Sequence, residues 1–264
     1  MSHLIKSQEL IEKMRVSARL AVSVLEMIEP HVKPGVTTNE LNDICHRYMV
    51  HELKCVPAPL GYHGFPKSIC TSLNRVVCHG IPDDKPLKSG DILNIDISLS
   101  KDGAYADTCK MFLVGECSIQ SKRIVKCAQE AIYAAIAIVK PGISLRDIGR
   151  AISIKAREYG YSIVRDFCGH GIGESLHEAP QVLHYDSRDS EHFILQAGMT
   201  FTIEPMINVG RKEVSVLKDG WTVVTKDHSL SAQYEHTLLV TETGFDILTL
   251  RKEESLTDIM AHIA

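Results

Sequence analysis

From Ser7 onward the apolar positions fall at helical spacing: Leu10, Ile11, Met14, Ala18, Ala21, Leu25 and Ile28, with Pro30 ending the run. A second helix opens within KPGVTTNELNDIC, where Thr37 and Glu40 have the spacing of a capping box. The same succession returns later. IVKCAQEAIYAAIAIV is again an apolar helix, and KPGISLRDIGRAI repeats the turn and the cap with Ser144 and Asp147. Lys33-Pro34-Gly35 and Lys140-Pro141-Gly142 lie 107 positions apart.

Strand patterns repeat in the same order. KSGDILNID ends at Asp96 and QAGMTFTIE ends at Glu204, an offset of 108. ADTCKMFLV resembles YEHTLLV and sets Asp107 against Glu235 at an offset of 128, so the second half carries about twenty extra residues around GRKEVSVLKDGWTVVTKDHS. CHGI at 78–81 and GHGI at 169–172 form a weaker pair. Several matches in one order argue for duplication. Two repeats are too few for a solenoid. The expectation is an α+β fold in one domain, residues 1–264, built from repeats at 7–117 and 121–250 about an approximate two-fold axis. Helices would cover one face of a mainly antiparallel sheet.

NIDISLSKDGAYADT reads as a hairpin with a type I′ turn at Asp102-Gly103. That turn pairs Lys101 with Ala104, Ser98 with Asp107 and Asp96 with Cys109. Asp96 and Asp107 then share a face as diagonal neighbours, about 7–8 Å apart. A one-residue slip would send one acid to the opposite face. Buried carboxylates are costly unless paired or metal-bound. The repeat adds Glu204 and Glu235 on the equivalent strands, and His170 in the Gly-flanked CGHGIGESLHEAP supplies a nitrogen. Singly, each acid reads as an edge, turn or solvated residue and His170 as an ordinary structural histidine; their shared register argues otherwise. Four carboxylates and an imidazole suit divalent Mn, Fe, Co or Zn, and the excess of acids favours two ions. His177 and His79 sit at nearby loop positions. His46, His51, His63, His184, His192, His228, His236 and His262 read as surface or locally hydrogen-bonded residues.

Composition narrows the class. The chain of 264 residues is 44% hydrophobic and 23% charged with a net charge of −4, an ordinary globular balance. No Lys/Arg block marks a nucleic-acid partner, and no apolar run is long enough for a membrane span or a signal core, so a cytoplasmic protein is expected. The eight Cys contain no C-x-x-C pair and read as small core residues. Zincin, P-loop, dinucleotide and nucleophile-elbow motifs are missing.

NIDISLSKDGAYADT, CGHGIGESLHEAPQVLHY, MTFTIEPMINVG, DGWTVVTKDHSLSAQYEHTLLVT and GYHGFPKSIC together resemble the bacterial type I methionine aminopeptidases, essentially end to end. The resemblance implies a pita-bread fold and removal of the initiator methionine from nascent chains when the second residue is small. It implies metal ligands Asp96, Asp107, His170, Glu204 and Glu235, with Asp107 and Glu235 shared by the ions. Glu204 would move the proton, His177 would bind the scissile carbonyl, and His79 the departing amide nitrogen. Tyr62, Phe65, Cys70 and Trp221 would surround the methionine side chain. Pro59, Phe65 and Leu176 stand where family members often carry Cys, Tyr and an aromatic residue. Asn74 and Ser231 match a site for a monovalent cation, Na or K. The implied partners are nascent N-termini and, transiently, the ribosome, docked through the catalytic domain's own surface. No coiled coil or strong apolar patch argues against a monomer.

Two other readings compete. Xaa-Pro peptidases share the fold but usually carry a substantial N-terminal domain, whereas here the first repeat begins near Ser7. A non-enzymatic pita-bread module would be expected to have lost metal ligands, and all five are present.

Overall fold

The computed structural model describes residues 4–262. The first half runs α1 (Gln8–Ile28), α2 (Thr38–Arg47), β1 (Val56–Pro57), β2 (Cys70–Leu73), β3 (Val76–Cys78), β4 (Ile92–Lys101) and β5 (Ala104–Leu113). The second runs α3 (Ile119–Ile136), α4 (Leu145–Tyr159), β6 (Ser162–Ile163), β7 (Gly169–Gly171), β8 (Glu178–Val182), β9 (Thr200–Ile203) and β10 (Met206–Asn208). It continues through β11 (Val214–Val216), β12 (Val223–Thr225), β13 (Ser231–Gln233), β14 (His236–Val240), β15 (Phe245–Ile247) and α5 (Leu256–Met260). Among the described residues no helix is long and apolar enough to cross a membrane.

The local signals act where they were expected. Ser7 caps α1 by accepting from the Leu10 amide. Thr37 with Glu40, and Ser144 with Asp147, close complete capping boxes on α2 and α4. Each KPG turn ends in a glycine at positive φ, +93° at Gly35 and +89° at Gly142. Their amides donate to Leu87 O and Leu195 O at 2.8 and 2.9 Å, and isolated bridges follow at Thr37–Pro86 and Ser144–Ile194. The two halves therefore meet their strand connections in matching ways.

Each helix pair covers its own apolar core. Ile11, Met14, Leu25 and Leu41 pack on Ile95, Ile97 and Leu99 of β4. Ile124, Ile132, Ile148 and Ile152 pack on Phe201, Ile203 and Leu238. Truncating a buried Leu or Met in such a layer costs about 2–5 kcal/mol. Alternation then sends Asn94, Asp96 and Ser98 to the other face of β4, away from α1 and α2.

The strand pairing is antiparallel throughout, yet it divides into several sheets rather than the single sheet expected. β4 pairs with β5 along its full length and, on its other edge, with β2 and β1. A five-stranded sheet runs β15-β14-β9-β7-β8, and two three-stranded sheets run β13-β10-β6 and β11-β12-β3. The breaks fall at two acids: Glu204 lies between β9 and β10, and Glu235 between β13 and β14. Pro205 after Glu204 has no N–H to continue a ladder. Among the described residues a single isolated backbone bridge, Cys109–Glu235, links the four- and five-stranded sheets. The extra residues of the second half form the β11–β12 hairpin, which pairs with β3 of the first half.

Close backbone approach constrains β7. A Cβ on Gly171 would stand 2.0 Å from the Ala179 carbonyl oxygen of β8. Gly171→Ala is therefore expected to push the strands apart and lower the unfolding free energy by about 1–3 kcal/mol. An unchanged denaturant midpoint would show that β7 and β8 have room to spare.

Candidate active site

The hairpin register is the one its turn dictates. Asp102 and Gly103 have φ of 50° and 81°, as a type I′ turn requires. Ser98 pairs with Asp107 and Asp96 with Cys109. Ser98 Oγ donates to Asp107 Oδ1 at 2.8 Å. Asp96 Oδ1 is buried with no hydrogen-bond partner. Glu204 accepts from Thr202 Oγ1 at 2.8 Å and Gln233 Nε2 at 3.3 Å. Glu235 is buried at the junction of the two larger sheets.

His170 completes the cluster from β7, at a register shift that re-aims the strand. Its Nδ1 lies 3.0 Å from Gly171 O, which takes the ring proton. The Nε2 lone pair then faces Asp107 Oδ2 at 3.8 Å and Glu204 Oε1 at 3.6 Å. Asp107, His170 and Glu235 each offer a ligand atom within 4.8 Å of the others.

The cluster carries more negative charge than the protein relieves. Among the described residues, none of the four carboxylates forms an ion pair with Lys or Arg; the recorded pairs are with His170 alone. Burial pushes Asp96 up to about 6 and Glu204 up to about 8. Burial, then the neighbouring carboxylates, hold Asp107 and Glu235 well above the usual range. Burial, then His177, lowers His170 to about 4, so its imidazole is neutral and free to ligate. Oxygen-rich donors, one neutral imidazole and an orphaned carboxylate oxygen fit divalent cations.

A cavity of about 480 Å³ opens over these acids. Tyr62, Phe65, Cys70 and Trp221 line it, with Pro59 and Leu176. Phe65 meets Trp221 edge-on with ring centroids 5.2 Å apart, and Trp221 arrives on the connection within the β11–β12 hairpin. His79 and His177 also reach the cavity. His79 leaves β3 at a φ of 54° and packs edge-on against Phe167 at 5.5 Å. His177 lies 4.3 Å from the His170 ring, and its Nδ1 is 2.7 Å from the Tyr62 hydroxyl. Asn74 and Ser231 come together away from the acids: Ser231 N donates to Asn74 O at 2.9 Å.

Three site residues escaped the sequence reading. His184, read as a surface or locally hydrogen-bonded residue, is fully buried, and its Nε2 accepts from the Glu204 amide at 3.1 Å. His236 is fully buried as well, between Thr249 and Arg251. Gln233 reaches Glu204 from β13. None carries a motif, because each contact spans strands distant in sequence.

The fold is the pita-bread fold, and fold and site together define a class: the chain belongs to metallopeptidase family M24, whose pattern matches residues 12–242. It is 60% identical over 259 residues to the methionine aminopeptidase of Escherichia coli (strain K12), spanning 98% of both chains. The crystal structure of methionine aminopeptidase from Rickettsia prowazekii matches with a TM-score of 0.91 at 51% identity, covering 93% of this chain and 99% of that one. Prolidase from Pyrococcus furiosus shares the fold with a TM-score of 0.72 at 23% identity, and only 66% of that chain is matched.

The charge imbalance makes metal removal pH-dependent. A carboxyl held above its unfolded value binds its proton more tightly folded than unfolded, so stability falls as pH rises through that interval. The depressed histidines act oppositely, but their contribution is complete above about pH 6.5. Metal-free protein should therefore lose thermal stability from about pH 7 to pH 8, where Glu204 at about 8 still holds its proton in the folded state. Added divalent metal should raise the midpoint, more so at higher pH. A metal-free midpoint that climbs across that interval would contradict the assignment.

Proposed function

We propose that this protein is a dinuclear methionyl aminopeptidase that removes the N-terminal methionine from nascent chains and peptides whose second residue is small. One observation carries the reading: a five-donor acidic cluster and an aromatic wall face each other across one cavity of about 480 Å³, in a chain 60% identical to a methionine aminopeptidase. Asp96, Asp107, His170, Glu204 and Glu235 would hold two divalent ions, of Mn, Fe, Co or Zn. Bound there, such ions supply a hydroxide nucleophile near neutral pH and Lewis-acid activation of the peptide carbonyl.

The protein's own groups do the rest. Glu204, steadied by Thr202 and Gln233, accepts the proton of the attacking water and returns it to the leaving amine. When the Tyr62 hydroxyl donates to His177 Nδ1, the ring proton sits on Nε2. That N–H is then available to the substrate carbonyl oxygen, where negative charge develops. His79, lowered to about 4 by burial, then by His177, is neutral and can hydrogen-bond at the departing amide nitrogen. Tyr62, Phe65, Cys70 and Trp221 offer a thioether both apolar and aromatic contact. Burial holds the Cys70 thiol protonated, which keeps this wall uncharged. The substrate's free α-amine meets the acidic end of the cavity, which favours an N-terminus over an internal bond.

Asn74 and Ser231 remain candidates for a monovalent cation, Na or K. The same reading makes the chain one catalytic domain, a monomer of the cytoplasm that visits the ribosome transiently. An Xaa-Pro peptidase fits less well: the chain is 60% identical to a methionine aminopeptidase and 23% identical to the matched prolidase.

Purified enzyme with Mn²⁺ or Co²⁺ should release Met from Met-Ala-Ser and leave Ala-Pro peptides intact; the reverse preference would refute the reading. Glu204→Ala should abolish turnover with little loss of folding by circular dichroism. His177→Ala and His79→Ala should each reduce kcat by about 10²–10³-fold while metal stays bound. Wild-type kinetics in either variant would remove that histidine from the mechanism.

A further inference from the structure

Arg251 is 2% exposed and lies in the segment between β15 and α5. A guanidinium is not brought into a core without compensation, and its partners show what it compensates. Nη1 donates to Thr108 Oγ1 and Cys109 O, both at 3.2 Å, and to Glu235 O at 3.4 Å. Nη2 donates to Glu254 Oε1 at 2.7 Å and to His236 Nε2 at 2.9 Å. The His236 Nδ1 proton goes to Thr249 O at 3.1 Å, which leaves Nε2 as the acceptor. Tyr133 donates to Glu254 at 2.6 Å and fixes the carboxylate from α3. The planar fork is therefore used on both prongs, one on the protein's seam and one on its own anchor.

The seam is where the two larger sheets meet. Among the described residues one isolated backbone bridge, Cys109–Glu235, joins β5 to the start of β14, through Glu235 N to Cys109 O at 3.1 Å. Thr108 Oγ1 donates to Glu235 O at 2.8 Å beside it. Thr237 Oγ1 accepts from Asp107 N and donates to Asp107 O, at 3.1 and 2.7 Å. Asp107 and Glu235 stand on opposite sides of this seam. Their separation depends on a joint with a single ladder contact, and Arg251 bolts that joint from the side away from the cavity. We propose that Arg251 is a positioning residue for the metal centre: by clamping Thr108, Cys109 and Glu235 it sets the spacing of Asp107 and Glu235, and so the uptake of the second divalent ion. This rests on the dinuclear reading above.

The test separates positioning from folding. Arg251→Met alone strands Glu254 as a buried unpaired charge and should destabilise the fold. Adding Glu254→Gln removes that charge; with its nitrogen at the Oε1 position the amide donates to His236 Nε2 and to the Tyr133 hydroxyl oxygen, and its oxygen still accepts from the backbone amide at position 251. The double variant should regain a metal-free melting midpoint close to wild type. Calorimetric titration of metal-free protein with Mn²⁺ should nevertheless show its second ion bound about tenfold or more weakly. Arg251→Lys keeps the charge opposite Glu254 and loses the fork, so it should fold and fall between the two; it decides the matter if the double variant does not fold. Two ions bound with wild-type affinity in the folded variants would overturn the assignment of Arg251. Wild-type protein that takes up fewer than two Mn²⁺ would instead overturn the dinuclear reading itself.

Discussion

The arrangement turns on an electrostatic debt. Four carboxylates are gathered where water is scarce and where, among the described residues, no Lys or Arg forms an ion pair with them. Desolvation and mutual repulsion raise their affinity for protons in the metal-free protein, and a dication is what relieves both at once. Much of the architecture keeps these acids from moving apart. Two helix layers hold the rear faces of the strands, a two-residue turn sets the register of Asp96 and Asp107, and a neutral imidazole with a pre-assigned proton faces the gap. Structure and cofactor are thereby linked, since the conformation that is strained without the ion is the one that binds it.

What the sequence revealed was local or repeated. The hairpin register followed from Asp102-Gly103 alone, and the caps at Thr37 and Ser144 followed from residues three apart. The internal repeat carried Asp96 to Glu204 and Asp107 to Glu235 without any knowledge of the fold. Pocket residues came from resemblance, and the cavity contains them. What stayed hidden was long-range. Nothing in the chain marks His184 as lying under Glu204, or Arg251 as reaching strands more than a hundred residues upstream. The division into several sheets was also hidden. YEHTLLV reads as one strand through Glu235, whereas the ladder is interrupted there, and it is interrupted again at Glu204, where Pro205 has no N–H to continue it.

The β11–β12 hairpin has no counterpart in the first half. It grows from the second half, docks on β3 of the first, and brings Trp221 to the cavity. The four acids lie on or beside strands of the four- and five-stranded sheets, whereas part of the cavity wall lies on this hairpin. The acidic cluster and part of the cavity wall thus sit on different segments, so a change in the hairpin can reshape the wall without displacing an acid. Pro59, Phe65 and Leu176 line the same cavity from outside the hairpin, so the wall is drawn from both halves of the chain.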